Sequence, residues 1–234
     1  RAVHTHVLEK IEAGDLYFAR AIHTHVLEKI AAMAGSDKWD SRYRSSSEPG
    51  SAAKVLLDFQ HLLPARGIAL DLACGLGANG LFLAERGLEV HAWDSSAIAL
   101  EKLNDFAAQH EILIQTQQRD VSLDPPEENR FDVIVVSHFL DRLLCPAIAR
   151  SLRPEGLLFY QTFNRNKVDS VGPSNPDYLL EENELLRLFP RLILRGYRED
   201  SGFGDTDLRN QAYLVAEKSS AVVTDDASPQ EGPS

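Results

Sequence analysis

Sulfur is scarce in this sequence: 234 residues hold two cysteines and one methionine. The two thiols, Cys74 and Cys145, both sit in apolar surroundings, so no disulfide framework is expected and a reducing, cytoplasmic location is. Long apolar runs are also missing, and no stretch approaches the roughly 20 residues that cross a bilayer. The N-terminus is polar and carries histidines, which is unlike a secretory signal. Positive charge is in short supply, with 24 Lys and Arg against 35 Asp and Glu and a net charge of −11. That balance disfavours nucleic acid as a substrate, because phosphate binding rests on clusters of Lys and Arg. What remains is an ordinary globular composition, 44% hydrophobic and 25% charged, with the length of one domain plus extensions.

The informative stretch is Ala69-Leu70-Asp71-Leu72-Ala73-Cys74-Gly75-Leu76-Gly77-Ala78-Asn79-Gly80. Ile68 to Leu72 reads as a buried strand, Gly75 to Gly80 as a glycine-rich turn, and Leu81 to Arg86 as a helix closed by Gly87. Gly75-x-Gly77-x-x-Gly80 alone is weak, because dinucleotide sites share its spacing. Asp71 argues against them: a carboxylate just before the glycines repels a pyrophosphate seated on the helix N-terminus. It suits a ligand with an ammonium group, such as S-adenosylmethionine. A second strand, Leu88 to Asp94, ends in an acid placed for ribose hydroxyls, and a third, Ile112 to Arg119, ends at Asp120, placed for an adenine amine. Three acids therefore follow three successive strand ends.

Asp71-Leu-Ala-Cys-Gly-Leu-Gly, Asp94, Arg119-Asp120 and Leu152-Arg153-Pro154-Glu155-Gly156 together resemble the successive motifs of class I S-adenosylmethionine-dependent methyltransferases. Asp71 to Ser95 is more narrowly similar to the bacterial tellurite-resistance methyltransferases and their small-molecule relatives. Ala78, Gly80 and Glu155 depart from the usual residues at their positions, and none removes a proposed ligand group. The resemblance covers about residues 39–218. It implies a Rossmann-like doubly wound α/β sheet, mostly parallel with one antiparallel strand near the C-terminus and helices on both faces. It further implies a cofactor site made of Asp71, Ala73, Gly75, Gly77, Asn79, Asp94, Ser95, Asp120, Val121 and Ser137.

Upstream, Arg1 to Ile11 is repeated at Arg20 to Ile30 with Ile22 for Val3. His4, His6, His23 and His25 lack the cysteine and acid partners of a metal site, and no metal is expected. The single methionine, Met33, marks the expected native start, with residues 1–32 upstream of it; residues 1–38 read as an N-terminal extension to the domain. Trp39-Asp40-Ser41-Arg42-Tyr43-Arg44 has two readings: a lid with Tyr43 or Trp39 facing the sulfonium, or a helix packed on the sheet edge. Ala52 to Leu63 has amphipathic spacing, and Ser95 or Ser96 caps the next helix. Phe131 to Val136 reads as a central strand buried on both sides. It ends at Ser137-His138-Phe139-Leu140, where His138 either orients or deprotonates an acceptor or merely fills space. Leu157 to Thr162 is the fifth strand, Asn164 to Tyr178 a long loop shaping the acceptor pocket, and Glu181 to Phe189 a helix. Strands at Leu192 to Arg198 and Gln211 to Glu217 flank a polar turn, and residues 219–234 form an acidic tail without apolar periodicity.

The expected activity is methyl transfer from S-adenosylmethionine to a small molecule, a thiol or a tellurium or selenium oxyanion among the candidates. Two alternatives stay open: a nicotinamide-dependent oxidoreductase, and a non-catalytic S-adenosylmethionine-binding module. Neither a membrane nor a nucleic acid is an expected partner.

Overall fold

The computed structural model of the chain describes residues 37, 39–46, 48–200 and 208–220. The duplicated segment with its four histidines, the start near Met33, the turn from residue 201 and the tail beyond 220 lie outside them.

Strand β1, Ile68–Leu72, alternates its side chains between two faces of the sheet. Leu70 and Leu72 join one buried cluster with Trp93, Ile134, Val136, Leu158 and Tyr160. Ala69 joins the opposite one with Val133, Val135 and Phe159. Both faces are apolar, so helices must cover both. On one side α1, Lys54–Asp58, contributes Val55 and Leu56 and α2, Ala78–Ala84, contributes Leu83. Further along that face, Leu103 and Ala107 of α3, Ala97–Gln109, pack on Ala92 of β2, Glu89–Asp94. The other side is covered by Ile148 of α4, Cys145–Ser151, and Leu185 of α5, Glu184–Leu188.

The remaining strands are β3, Gln115–Gln118, β4, Phe131–Ser137, β5, Leu152–Phe163, β6, Ile193–Glu199, and β7, Gln211–Glu217. Seven strands form one sheet in the order β3-β2-β1-β4-β5-β7-β6. Only β7 runs against its neighbours, pairing antiparallel with both β5 and β6. This is the doubly wound sheet that the motifs imply. The chain moves outward from β1 through β2 to β3, then returns to lay β4 on the other side of β1. That reversal opens a crevice beyond the carboxyl ends of β1 and β4, where such sheets bind ligands.

Element ends differ from the sequence expectation in places. Helix α2 starts at Ala78 rather than Leu81, because Gly77 takes a left-handed φ of 78° and turns the chain directly into the helix. The third strand keeps only Gln115–Gln118 of the expected Ile112 to Arg119; Ile112 and Ile114 pack against Leu103 instead. The fifth strand starts five residues early, at Leu152, with a register shift opposite Phe131 and Val133. Of the two candidate caps, Ser96 accepts from Ala99 N–H at 3.1 Å.

Candidate functional site

The sheet brings the ends of β1, β2 and β4 together around the glycine turn. Asp71 shares a face with Ala69 and so points under α2. It is fully buried, accepting from Gly80 N–H at 2.8 Å and, at 3.4 Å, from Asn79 Nδ2. Burial outweighs these hydrogen bonds and pushes its pKa up from 3.8 to about 7. Asn79 also donates to Ser137 Oγ at 2.9 Å and accepts from Ala53 N–H at 2.8 Å. A single amide thus ties the ends of β1 and β4 to the start of α1.

Asp94 is buried at the end of β2. Its Oδ2 accepts from Gly75 N–H at 2.7 Å and its Oδ1 from Ser96 N–H at 2.9 Å. Burial raises its pKa. Ser95 N–H is a third backbone donor to it; a carboxylate has about four acceptor positions, so capacity remains for a ligand hydroxyl. Ser95 carries its carbonyl to Gln118 Nε2 at 3.0 Å. Ala73, between the two acids, holds a left-handed φ of 54°.

Asp120 stands apart from this pair. Its Oδ1 accepts from Ser122 N–H at 3.1 Å, an Asx turn, and Val121 is packed in the core.

The segment 39–44 is helical and lies over the turn. A Cβ on Gly75 would come within 2.6 Å of the Tyr43 hydroxyl, so the phenol rests directly on that glycine. Burial and the nearby Asp94 push the Tyr43 pKa up to about 12. Trp39 stacks on Tyr43 with centroids 6.3 Å apart, and the Arg42 guanidinium lies over Trp39 at 5.6 Å. Asp40 bonds to Ser96 Oγ, and Lys102 Nζ reaches the carbonyls of Tyr43 at 2.7 Å and Arg44 at 3.1 Å, which fastens the segment to α3. Trp39 to Arg44 is thus a packed helix, as one of the two readings has it, and it also sets Tyr43 on the glycine turn.

His138 follows β4 with a left-handed φ of 55°, stacks on Phe163 at 5.0 Å and stays exposed. Four residues of this region escaped sequence reasoning: Arg42 as a neighbour of His138, Gln161, Gln211 and Asn164. Asn164, the residue after β5, is buried with neither side-chain amide atom hydrogen-bonded, a cost of about 1–3 kcal/mol. Its only sequence signal was its place at a strand end. A groove of about 730 Å³ near Leu88, Val90 and Ile114 opens at the start of β2. Among the described residues no three His, Cys, Asp or Glu side chains gather as a metal would require, and no helix is long and apolar enough to cross a membrane.

A methyltransferase-domain family matches residues 69–156. The ubiquinone biosynthesis O-methyltransferase of Coxiella burnetii is 30% identical over 102 residues, 42% of this chain and 44% of that protein. The probable S-adenosyl-L-methionine-dependent methyltransferase TehB of Haemophilus influenzae is 33% identical over 87 residues, 36% of this chain and 30% of that protein. The chain thus spans less than half the length of these relatives. The crystal structure of Haemophilus influenzae TehB superposes with a TM-score of 0.56 at 22% identity, over 78% of this chain and 66% of that one, a likeness of fold. Residues 69–156 thus match a methyltransferase-domain family, and the sheet order and motif positions agree with that match.

Proposed function

We propose that this chain transfers a methyl group from S-adenosylmethionine to a small-molecule acceptor by in-line displacement. One observation carries the reading: two buried carboxylates, Asp71 and Asp94, flank a glycine turn whose helix N-terminus is already engaged. Gly80 N–H belongs to the first turn of α2, and Asp71 takes it. A pyrophosphate would find that amide occupied and a carboxylate behind it, which disfavours the nicotinamide alternative.

The residues fit the donor. Gly75 and Gly77 leave the turn without side chains, and the space above Gly75 is taken by Tyr43 rather than by backbone. In this reading Asp94, at the end of β2, receives the ribose hydroxyls on its remaining acceptor capacity. Asp71, being enclosed, acts on the ammonium through a water molecule. Asp120 and the backbone of Val121 receive the adenine, while Ala73, Asn79, Ser95 and Ser137 shape the wall. When bound, the donor supplies a methyl group already activated by its sulfonium charge. The protein's contribution is then chiefly alignment and exclusion of water by Tyr43 and Trp39.

Resemblance to the tellurite-resistance group supports a thiol or a tellurium or selenium oxyanion as acceptor, and the names of the ubiquinone relatives support a hydroxyl. Calorimetric titration with S-adenosylmethionine, S-adenosylhomocysteine and NAD, repeated on Asp94→Ala, tests the reading. Both sulfur ligands should bind the natural chain and lose at least about tenfold in affinity in the variant, the loss of one charge-assisted bond or more. Binding of NAD alone overturns it.

A further inference from the structure

His138 is an exposed histidine with a left-handed backbone, which a non-glycine residue adopts at a cost of about 1–2 kcal/mol. Its side chain belongs to a chain of hydrogen bonds whose direction is set at the far end by a backbone group. Val55 N–H, in the first turn of α1, can only donate, and it donates to Gln161 at 2.8 Å. The atom of Gln161 that faces it is therefore Oε1. Gln161 Nε2 in turn faces Gln211 at 2.8 Å, so the Gln211 atom there must be its oxygen. That same oxygen lies 3.2 Å from His138 Nε2. An acceptor opposite Nε2 requires the proton on Nε2, which leaves Nδ1 with a free lone pair.

We propose that His138, held as the Nε2–H tautomer by Gln211 and Gln161, takes the proton of the methyl acceptor on Nδ1, and that the acceptor is accordingly a hydroxyl still protonated at neutral pH. The proposal rests on the methyltransferase reading and narrows it. An acceptor ionised in solution has no use for a base with a fixed tautomer, whereas a hydroxyl has. The step balances: the O–H bond breaks as its proton passes to Nδ1, an oxygen lone pair forms the O–CH3 bond, and the sulfur keeps the electron pair of the broken S–CH3 bond. The products are the methyl ether, S-adenosylhomocysteine and an imidazolium that returns its proton to solvent.

The surroundings favour the neutral base. Crowding by the protein and the Arg42 guanidinium, from the segment above, both lower the His138 pKa, while the bond to Gln211 raises it less than crowding lowers it. Phe163, stacked on the ring from β5, carries no charge. Ser137, the preceding residue, bonds to Asn79 and so sits beside the proposed cofactor turn. Gln211 and Gln161 are positioning residues in this scheme, since they reach the acceptor only through His138.

The test begins with the tautomer, which needs no ligand. Long-range nitrogen-15 NMR of the natural chain at neutral pH, with His138 assigned by loss of its signal in His138→Asn, should show neutral imidazole protonated on Nε2. Asparagine tolerates the left-handed backbone, so that variant retains the turn. Protonation on Nδ1, or a charged ring at pH 7.5, overturns the proposal. His138→Asn should bind S-adenosylhomocysteine as the natural chain does; failure of the natural chain to bind it defeats the methyltransferase reading, whatever the tautomer. A panel of phenols, catechols and hydroxybenzoates then serves as acceptor. On the substrates turned over, kcat should fall about 100-fold or more in His138→Asn with KM little changed. Gln211→Glu should move the acid limb of the kcat profile up by about one unit, as a nearby carboxylate does. Unchanged kcat in His138→Asn, an unmoved limb, or turnover of thiols with no hydroxyl accepted each overturns it.

Discussion

Replacing Asp71 by Asn gives a direct measure of how this site spends stability. The carboxyl has a folded pKa of about 7 against 3.8 for the free group, because it is fully buried. The sign follows from linkage: a raised carboxyl pKa stabilises the fold below the unfolded value and loses that contribution as pH rises through the folded one. Between pH 5 and pH 8 the unfolded group is ionised throughout, while the folded one ionises near 7. The two units below 7, at about 1.4 kcal/mol each, amount to roughly 3 kcal/mol of stability lost on raising the pH. Asn at position 71 can still accept from Gly80 N–H, but it turns an amide toward Asn79 Nδ2, a penalty independent of pH. The observable is therefore the difference between the two chains. Urea unfolding at pH 5, 6, 7 and 8 should show the natural chain losing roughly 3 kcal/mol relative to Asp71→Asn over that range. A difference that stays constant with pH, or moves the other way, would refute the assignment of Asp71 as a buried, costly carboxyl.

Two further outcomes are expected. Gly77→Ala places a Cβ 2.4 Å from Leu103 Cδ1 at a φ of 78°; left-handed strain and overpacking together should cost about 2–5 kcal/mol in denaturant unfolding, and a loss below about 1 kcal/mol would contradict the close packing of α2 on α3. Lys102→Met removes the ammonium that reaches the carbonyls of Tyr43, Arg44 and Ser46; amide hydrogen exchange across residues 39–46 should quicken about tenfold, and unchanged exchange would mean that Asp40 and the aromatic stack suffice.

Strand β1 was legible to the residue because both its faces are apolar and its ends are marked by Gly67 and the glycine turn. Strand β3 was not. Its apolar lead, Ile112 to Ile114, looks like a strand in sequence, but pairing with β2 begins only at His91↔Gln115, and Ile112 and Ile114 are used in packing under the helices instead. The early start of β5 escaped for a related reason: Leu152 pairs with Phe131 across a register shift that no local pattern announces. In the site, Asp71 and Asp94 stood out because acids at strand ends beside glycines are chemically specific. Asp120 had the same local look, and the structure gives it an Asx turn. Gln161 and Gln211 carried no signal at all. Val55 and Gln161 are 106 residues apart and Gln161 and Gln211 are 50 apart, so their alignment exists only once β5 and β7 are paired.

Asn79 has a consequence for how this chain can vary. Its one amide serves Asp71, Ser137 and Ala53 N–H together, two as donor and one as acceptor. Aspartate has the right length but lacks the donors; glutamine has the chemistry but an extra methylene in a site that is 4% exposed; serine reaches too short a distance. Nearly every other residue would leave at least one buried polar group unpaired, at about 1–3 kcal/mol each. Position 79 is therefore among the least replaceable in the chain, and drift in any of the three segments it joins is constrained by the other two.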